Sequence, residues 1–279
     1  MYAEYWRLKE KPFERGLYTQ FAYLGDQHKE GIARLLYATR QHKKCALLTG
    51  MAGSGKSFLK QLFVEKLKGT GDFSIAFVDN PSMGIKPLLE EIYFQVSGKD
   101  SEISSVGLVW NEIKQLLLSK QSNGYHNLVV VDNAHLISEL GVVEQLRMLS
   151  EVCDARGNPS VTILFFAQPP FAEMLEISAS LIQMVASRWN LSPLSLEQTR
   201  DYITRRLSVA GGNGWIFGDD AVSEIYDYSK GIARVINIIC DLALYLGMSE
   251  NAVRVDSGMI KRVVADIKKD MPLDKERMA

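Results

Sequence analysis

The sequence predicts an α/β fold in which a parallel β-sheet is flanked by helices and followed by a small all-helical region. Short apolar runs, typical of buried strands, alternate with longer segments that have apolar residues at helical spacing. From Pro193 onward the strand-like runs stop, and Ser195 with Gln198 forms the capping pattern of a helix start. The 279 residues suffice for one large or two smaller domains.

Composition narrows the class of protein. The net charge of −1 gives no global basic field for nucleic acid or anionic lipid, although a local basic face stays open. The three cysteines are scattered without paired spacing, and each has apolar neighbours in the sequence. This pattern predicts buried free thiols in a reducing compartment. No signal peptide and no apolar stretch of membrane-spanning length is found. We therefore expect a cytoplasmic protein without a membrane span.

The strongest motif is Gly50–Ser57, which fits the phosphate-binding loop pattern without deviation. A predicted strand, Cys45–Thr49, precedes it, and a predicted helix, Phe58–Leu67, follows it. In this context, backbone N–H groups and the helix start surround phosphates. We expect Lys56 to reach the β- and γ-phosphates of ATP, and the Ser57 hydroxyl to hold Mg²⁺. Further residues expected to touch the nucleotide are Gly50, Ala52, Gly53, Ser54, Gly55 and Phe58.

The second motif is a carboxylate at the end of the most strand-like run, Asn127–Asp132. Four apolar residues followed by a carboxylate form the Walker B pattern, which predicts that Asp132 holds Mg²⁺ through water. The next residue is Asn133, where P-loop ATPases of the additional-strand class usually place the Glu that activates the attacking water. Since an amide cannot take a proton at neutral pH, hydrolysis is predicted to be slow or to depend on another carboxylate.

Other polar residues flank the predicted strands. Gln168 follows the fourth strand, Val161–Ala167, where a polar side chain commonly senses the γ-phosphate. His135 is open to either a functional or a structural interpretation. A helix is predicted over about 27–40, ahead of the first strand. Three residues in this helix or just before it either touch the adenine or only pack against the protein core: Tyr23, Leu24 and His28. The remaining strands are predicted at 73–79 and, as a short fifth strand, near 189–191. Further helices are predicted at about 85–96, 108–121 and 142–154, and from residue 170.

These elements divide the chain into an aromatic arm (1–30), an α/β core (31–192), a helical lid (193–268) and a charged tail (269–279). Helices are predicted in the lid at about 199–209, 219–228, 231–248 and 256–268, with Asp256 as a cap of the last. The basic clusters Gln41–Lys44 and Arg200–Arg206 are predicted to be solvated helix faces.

A P-loop α/β core followed by a small helical lid resembles an AAA+ ATPase. Narrower similarity to the ExeA/GspA-type general secretion ATPases, and to their TniB/TnsC/MuB-type transposition relatives, rests on segments spanning about residues 2–265: Tyr5–Phe13, Phe21–Leu24, His28–Leu35, Gln168–Pro169, Leu194–Ser195 and Gly231–Asn237. The resemblance implies that Arg234 is a sensor 2 residue reaching from the lid to the γ-phosphate. It also implies that Arg188 is an arginine finger acting on a neighbouring subunit.

Three functions follow as expectations. The first is an ATP-switched assembly factor for a secretion or cell-envelope system, binding ATP or ADP with Mg²⁺ and forming a homo-oligomeric ring or filament. The second is a DNA-associated transposition regulator, which the near-neutral charge does not favour. The third, based on Asn133, is an ATP-binding scaffold that has lost hydrolysis.

The sequence also stops after the lid, whereas ExeA/GspA proteins continue into a membrane span and a peptidoglycan-binding domain.

Overall fold

The computed structural model describes residues 1–14, 16, 19–68, 72–100 and 105–270. Tyr18 of the predicted arm and residues 271–279 of the predicted tail therefore lie outside the described residues. The chain forms two compact units. The sheet unit consists of Asp26–Met51 and Lys56–Leu191, and the helical unit consists of Met1–Gly25, Ala52–Gly55 and Ser192–Ala279.

Five parallel strands form the sheet, as the sequence predicts. Their bounds are β1 (Cys45–Gly50), β2 (Phe73–Val78), β3 (His126–Val131), β4 (Val161–Ala167) and β5 (Val185–Leu191). The order is β2-β3-β4-β1-β5, so β4 lies between β1 and β3, while β2 and β5 are the edges. Every residue of β1, β3 and β4 is buried, which explains the apolar runs within these strands.

Helices account for most of the other described residues. In chain order they are α1 (Tyr2–Tyr5), α2 (Asp26–Arg40), α3 (Lys56–Leu67), α4 (Ile85–Ser97), α5 (Val106–Ser122), α6 (Leu140–Ser150), α7 (Pro169–Leu175), α8 (Ala179–Met184), α9 (Leu196–Val209), α10 (Asp219–Ser229), α11 (Ala233–Ser249) and α12 (Ser257–Asp270). In the sheet unit, α2 packs on β1 and β5, α4 on β2, α5 on β3, and α6 on β4. These helices flank the sheet, and α4, α5 and α6 supply residues to the larger hydrophobic core.

Helix α6 and strand β5 differ most from their predicted bounds. Helix α6 ends at Ser150 and not near Asp154, because the Asp154 carboxylate accepts hydrogen bonds from the backbone N–H groups of Arg156 and Asn158 and forms a turn. Strand β5 spans seven residues and is not confined to 189–191. It pairs with β1 alone, and an edge strand tolerates the polar residues that obscure its sequence signal.

The N-terminal residues pack on α11 within the helical unit. The indole N–H of Trp6 donates to the carbonyl of Leu244 at 2.8 Å, and the Tyr2 hydroxyl donates to Asp241. A Cβ at Gly247 would lie 2.6 Å from the Trp6 ring, so glycine permits this close approach. Four aromatic residues of the arm thus belong to the core of the helical unit: Tyr2, Trp6, Phe13 and Phe21.

Arg206 on α9 is buried, so the prediction of a solvated basic face is wrong at this position. Its Nε donates to the Pro12 carbonyl at 2.6 Å and its Nη1 donates to the Tyr202 hydroxyl at 2.7 Å. The guanidinium also lies 5.1 Å from the Phe21 ring centroid. Arg206 therefore fastens the N-terminal arm to α9.

Local signals that the sequence identified are present in the helical unit. Ser195 and Gln198 form both hydrogen bonds of a capping box at the start of α9. The Asp256 carboxylate accepts from the Met259 N–H at the start of α12. Cys45 and Cys240 are buried free thiols, whereas Cys153 is partly exposed. No helix within the described ranges is both long and apolar enough to cross a lipid bilayer.

Candidate nucleotide-binding site

The phosphate-binding loop connects the end of β1 at Gly50 to the start of α3 at Lys56. Gly53 and Gly55 have positive φ angles of 81° and 104°, which glycine adopts readily and other residues adopt at a cost. Lys56 begins a helix of 12 residues, and such a helix start presents unpaired backbone N–H groups. The loop therefore has the backbone form that cradles phosphate oxygens.

The ammonium group of Lys56 is held at this loop. Lys56 is 9% exposed, and its Nζ donates to the carbonyls of Gly50 at 2.6 Å and Met51 at 2.8 Å. These two carbonyls therefore fix the position of the charge at the loop. Ser57, the next residue, is exposed in the first turn of α3.

Asp132 follows β3 and is buried, with 6% exposure. One carboxylate oxygen, Oδ1, accepts from the Asn133 N–H at 2.9 Å. The other, Oδ2, lies 2.7 Å from the ammonium of Lys60, which also lies 2.9 Å from Asp79 Oδ1. Burial lowers the pKa of Lys60, but the hydrogen bonds to Asp132 and Asp79 outweigh it, so the net pKa is raised and Lys60 stays charged.

Sequence reasoning missed Lys60. Two signals point to it: it follows Lys56 by four residues, so both lie on one face of α3, and Asp79 directly follows β2 beside β3. Carboxyl ends of adjacent parallel strands meet at one edge of a sheet, which brings Asp79 and Asp132 within reach of one lysine.

Asn133 has the left-handed backbone conformation, with φ 52° and ψ 36°, and is exposed. Asparagine is among the few residues other than glycine that adopt this conformation at small cost. The residue begins a 3₁₀ turn over Ala134–Leu136. The local backbone therefore favours Asn at the position where a catalytic Glu is expected.

Gln168 and His135 contact each other, at 2.7 Å between Gln168 Nε2 and His135 Nε2. Burial, then the charge of Lys56, lowers the pKa of His135, while Asp132 raises it; the net pKa is lowered. The ring is therefore neutral near pH 7, and its Nε2 accepts a hydrogen bond from the Gln168 amide. Since β4 lies between β1 and β3, this pair stands at the same end of the sheet as Gly50 and Asp132.

Arg188 lies in the edge strand β5, opposite Leu47 of β1. Its carbonyl accepts from Arg34 Nη1 at 3.1 Å, and Arg34 stacks on Trp189 at 4.8 Å from the ring centroid. Together with α2 residues such as Tyr37, Arg188 lines an open surface cleft. Arg188, for which the family resemblance implies an arginine finger, is thus a half-buried residue of an edge strand in the sheet unit.

Arg234 and the middle of the loop contact each other within the helical unit. The backbone N–H of Arg234 donates to the carbonyl of Gly53 at 3.1 Å. A Cβ at Gly53 would lie 2.8 Å from the Cβ of Arg234, so both the backbone angle and the close approach require glycine there. The Arg234 side chain is exposed, and the buried Ser54 hydroxyl has no hydrogen-bond partner among the described residues.

The adenine candidates fall in both units. Tyr23 and Leu24 belong to the helical unit, where the Tyr23 ring packs edge-on against Tyr202 with centroids 6.0 Å apart. His28 belongs to α2 of the sheet unit; it is 7% exposed, and burial lowers its pKa to about 4. Contact of these residues with a base stays a prediction.

The donor groups fit Mg²⁺. Ser57 and Asp132 offer a hydroxyl and a carboxylate, the hard oxygen ligands that this ion prefers. Within the described ranges there is no cluster of three or more His, Cys, Asp or Glu residues that could hold a metal ion. Mg²⁺ typically uses one or two carboxylates together with substrate phosphates and water.

Comparisons with known proteins match this geometry. Residues 39–175 match the family model described as AAA domain. The Aeropyrum pernix ORC1 protein in complex with DNA aligns with a TM-score of 0.67 and 18% identity, covering 92% of this chain and 70% of that one. Drosophila ORC bound to DNA aligns with a TM-score of 0.66 and 15% identity, covering 90% of this chain and 65% of that one. The chain thus has the P-loop AAA+ fold, a five-stranded parallel sheet flanked by helices with a helical C-terminal part.

A curated relative makes the resemblance more specific. Over 270 residues, or 96% of this chain, it is 29% identical to general secretion pathway protein A of Aeromonas hydrophila. The similarity to the ExeA/GspA-type group predicted from the sequence is thereby confirmed. The match covers 48% of that relative, so the chain spans about half its length.

Proposed function

We propose that this protein binds Mg-ATP at Gly50–Ser57 and uses the nucleotide to switch between assembly states. The observation that carries the proposal is the ammonium of Lys56, which is held by the loop carbonyls of Gly50 and Met51. A phosphate that replaces these carbonyl contacts gains a charge-assisted hydrogen bond from a group that is already positioned. Asp132 supports the same proposal, because it follows β3, and β4 alone separates β3 from β1, after which the loop begins.

In this proposal each polar residue has one role. Loop N–H groups and Lys56 bind the phosphates, while Ser57 and Asp132 hold Mg²⁺, which neutralises phosphate charge when bound. Gln168 senses the γ-phosphate, and its bond to neutral His135 fixes the direction of its amide. Arg234, whose backbone bonds to Gly53, supplies a cation to the γ-phosphate, and Arg188 supplies one to the site of a neighbouring subunit.

Turnover is proposed to be slow. Asn133 can orient a water molecule but cannot accept its proton, and a positioned general base typically contributes about 10²–10⁴-fold. An ATPase with this limitation stays in its ATP state longer, which suits a switch for assembly better than a motor. We place its action in the cytoplasm, where ATP is available and free thiols such as Cys153 stay reduced.

Similarity to general secretion pathway protein A supports a secretion or cell-envelope system as the setting. A transposition-type regulator is the alternative from the sequence. Binding to duplex DNA that requires ATP and weakens steeply with salt would favour that alternative over a secretion partner.

The first test is nucleotide binding by Lys56→Ala, titrated with a fluorescent ATP analogue. Removing a positioned ammonium is expected to weaken binding by at least about tenfold. Lys66→Ala, a charge loss at an exposed position on the same helix, serves as the matched control and is expected to bind like the wild type. Thermal unfolding of each variant confirms folding. Equal ATP affinity in wild type and Lys56→Ala would sink the proposal.

A further inference from the structure

We propose that Lys60 is a positioning residue that competes with Mg²⁺ for Asp132, so that loading Mg-nucleotide moves Lys60 from Asp132 to Asp79. This inference rests on the proposed nucleotide site. Its basis is one ammonium shared by two carboxylates, with Nζ 2.7 Å from Asp132 Oδ2 and 2.9 Å from Asp79 Oδ1.

The two carboxylates differ in their surroundings. The side chain of Asp132 is 8% exposed and that of Asp79 is 74% exposed. A buried carboxylate is costly unless a cation or several donors compensate it. Lys60 is the cation that compensates Asp132 in this structure, and the Asn133 N–H occupies the other oxygen.

Mg²⁺ held by Asp132 would bring a second cation to the same buried carboxylate. Oδ1 of that carboxylate accepts from the Asn133 N–H and Oδ2 lies beside the Lys60 ammonium, so a magnesium-bound water would compete with Lys60 for acceptor positions. Two cations at one buried carboxylate repel each other, so the magnesium-bound state favours withdrawal of Lys60.

Asp79 makes that withdrawal inexpensive. Since Lys60 already contacts Asp79, its ammonium keeps an ion pair after it leaves Asp132. The exchange requires rotation of one side chain and no change in α3. Lys60 therefore raises the magnesium concentration needed for tight nucleotide binding, and Asp79 limits that effect.

The experiment measures the Mg²⁺ concentration that gives half-maximal tightening of a fluorescent, non-hydrolysable ATP analogue. Lys60→Met keeps the length of the side chain and removes its charge. It is expected to lower the half-maximal Mg²⁺ concentration about tenfold. Asp79→Asn removes the alternative partner and is expected to raise that concentration about threefold.

Two controls isolate the effect. Lys66→Met removes a positive charge from an exposed position of the same helix and is expected to leave the Mg²⁺ dependence unchanged. Lys60→Arg restores the cation and is expected to return the dependence toward that of the wild type. Asp79→Asn, at an exposed position, provides a test even where Lys60→Met fails to fold.

The outcomes separate the two proposals. Opposite shifts for Lys60→Met and Asp79→Asn support competition between Lys60 and Mg²⁺. This inference alone is overturned if the wild type binds the analogue and Lys60→Met leaves the Mg²⁺ dependence unaltered. Where Lys60→Met does not fold, an unaltered Mg²⁺ dependence in Asp79→Asn has the same meaning. Absence of analogue binding by the wild type, with and without Mg²⁺, would overturn the proposed function as well.

Discussion

Asn133 combines a chemical limitation with a backbone requirement. Its amide cannot act as a base, yet its φ of 52° is one that Asn adopts more easily than Glu does. Asp132 is bonded to the N–H of this same residue, so the left-handed backbone also helps to hold the Walker B carboxylate. Identity at position 133 thus links the proposed hydrolysis to the geometry of the proposed magnesium site.

Replacing Asn133 tests this link directly. Asn133→Glu supplies a carboxylate and is expected to raise steady-state ATP turnover at least about tenfold. The longer side chain in a left-handed conformation is expected to reduce the free energy of unfolding by about 1 kcal/mol. Phosphate release and chemical denaturation measure the two quantities.

Asn133→Gln is the matched control, because Gln has the shape and backbone preference of Glu without its charge. It is expected to lose the same stability and to gain no turnover. If Gln raised turnover as much as Glu, side-chain length and not proton transfer would be responsible, and the interpretation of position 133 would be wrong.

At the scale of elements, β3 carries a buried titratable group at its end remote from the nucleotide loop, and β4 supplies a hydrogen-bond partner for that group. His126 begins β3, and its Nε2 donates to the Thr162 hydroxyl at 2.8 Å, since that hydroxyl donates to the Lys43 carbonyl. Its Nδ1 is buried with no hydrogen-bond partner among the described residues, and its ring stacks on His42. Burial, then the charge of His42, lowers the pKa of His126 to about 3.

This pKa predicts acid sensitivity. The folded state keeps His126 neutral, while the unfolded state binds a proton below its ordinary pKa of about 6.5. Stability is therefore full above that pH and is lost as the pH falls toward 3. His28, with a pKa lowered to about 4, acts in the same direction. Between pH 7 and pH 5, each histidine is expected to account for about 2 kcal/mol of lost unfolding free energy.

His126→Gln is expected to remove its share of this loss, because an amide nitrogen still reaches Thr162 but does not titrate. Urea unfolding at both pH values provides the measurement. His42→Gln is expected to keep most of the loss, since burial is the larger cause of the lowered pKa. An unchanged pH dependence in His126→Gln would contradict this account of β3.

For the molecule as a whole, the sequence predicted the sheet and the loop because both are local patterns. Buried parallel strands have continuous apolar runs, and the phosphate-binding loop has a fixed spacing of glycines and lysine. The length of β5 was harder to predict, since an edge strand carries polar residues such as Arg188. Packing of Trp6 on α11 could not be predicted, because it depends on Gly247, which is remote in sequence.

The candidate site divides in the same way. Lys56 and Asp132 could be named from motifs, whereas the pairing of Lys60 with Asp132 depends on which strands are adjacent. Strand order is a long-range property, and one sequence contains little direct information about it. The roles of Arg188 and Arg234 came from the family resemblance and stay predictions.

Assembly can be tested by mixing two inactive variants. Arg188→Ala keeps its own phosphate-binding loop but supplies no finger, and Lys56→Ala supplies the finger but is expected not to bind ATP. Each alone is expected to be inactive. In an equimolar mixture of random oligomers, about a quarter of the interfaces join an intact loop to an intact Arg188, so about a quarter of the wild-type turnover should return.

The mixing test is best made in the Asn133→Glu background, where turnover is easier to measure. Sedimentation with and without ATP shows whether the subunits associate. Arg34→Ala provides a comparison, since Arg34 lines the same cleft but is assigned no contact with nucleotide. Recovered turnover on mixing requires that one subunit completes the site of another, because neither variant contains a complete site. Activity of Arg188→Ala alone would show that the finger lies elsewhere, and association without recovery would show that Arg188 acts within its own subunit.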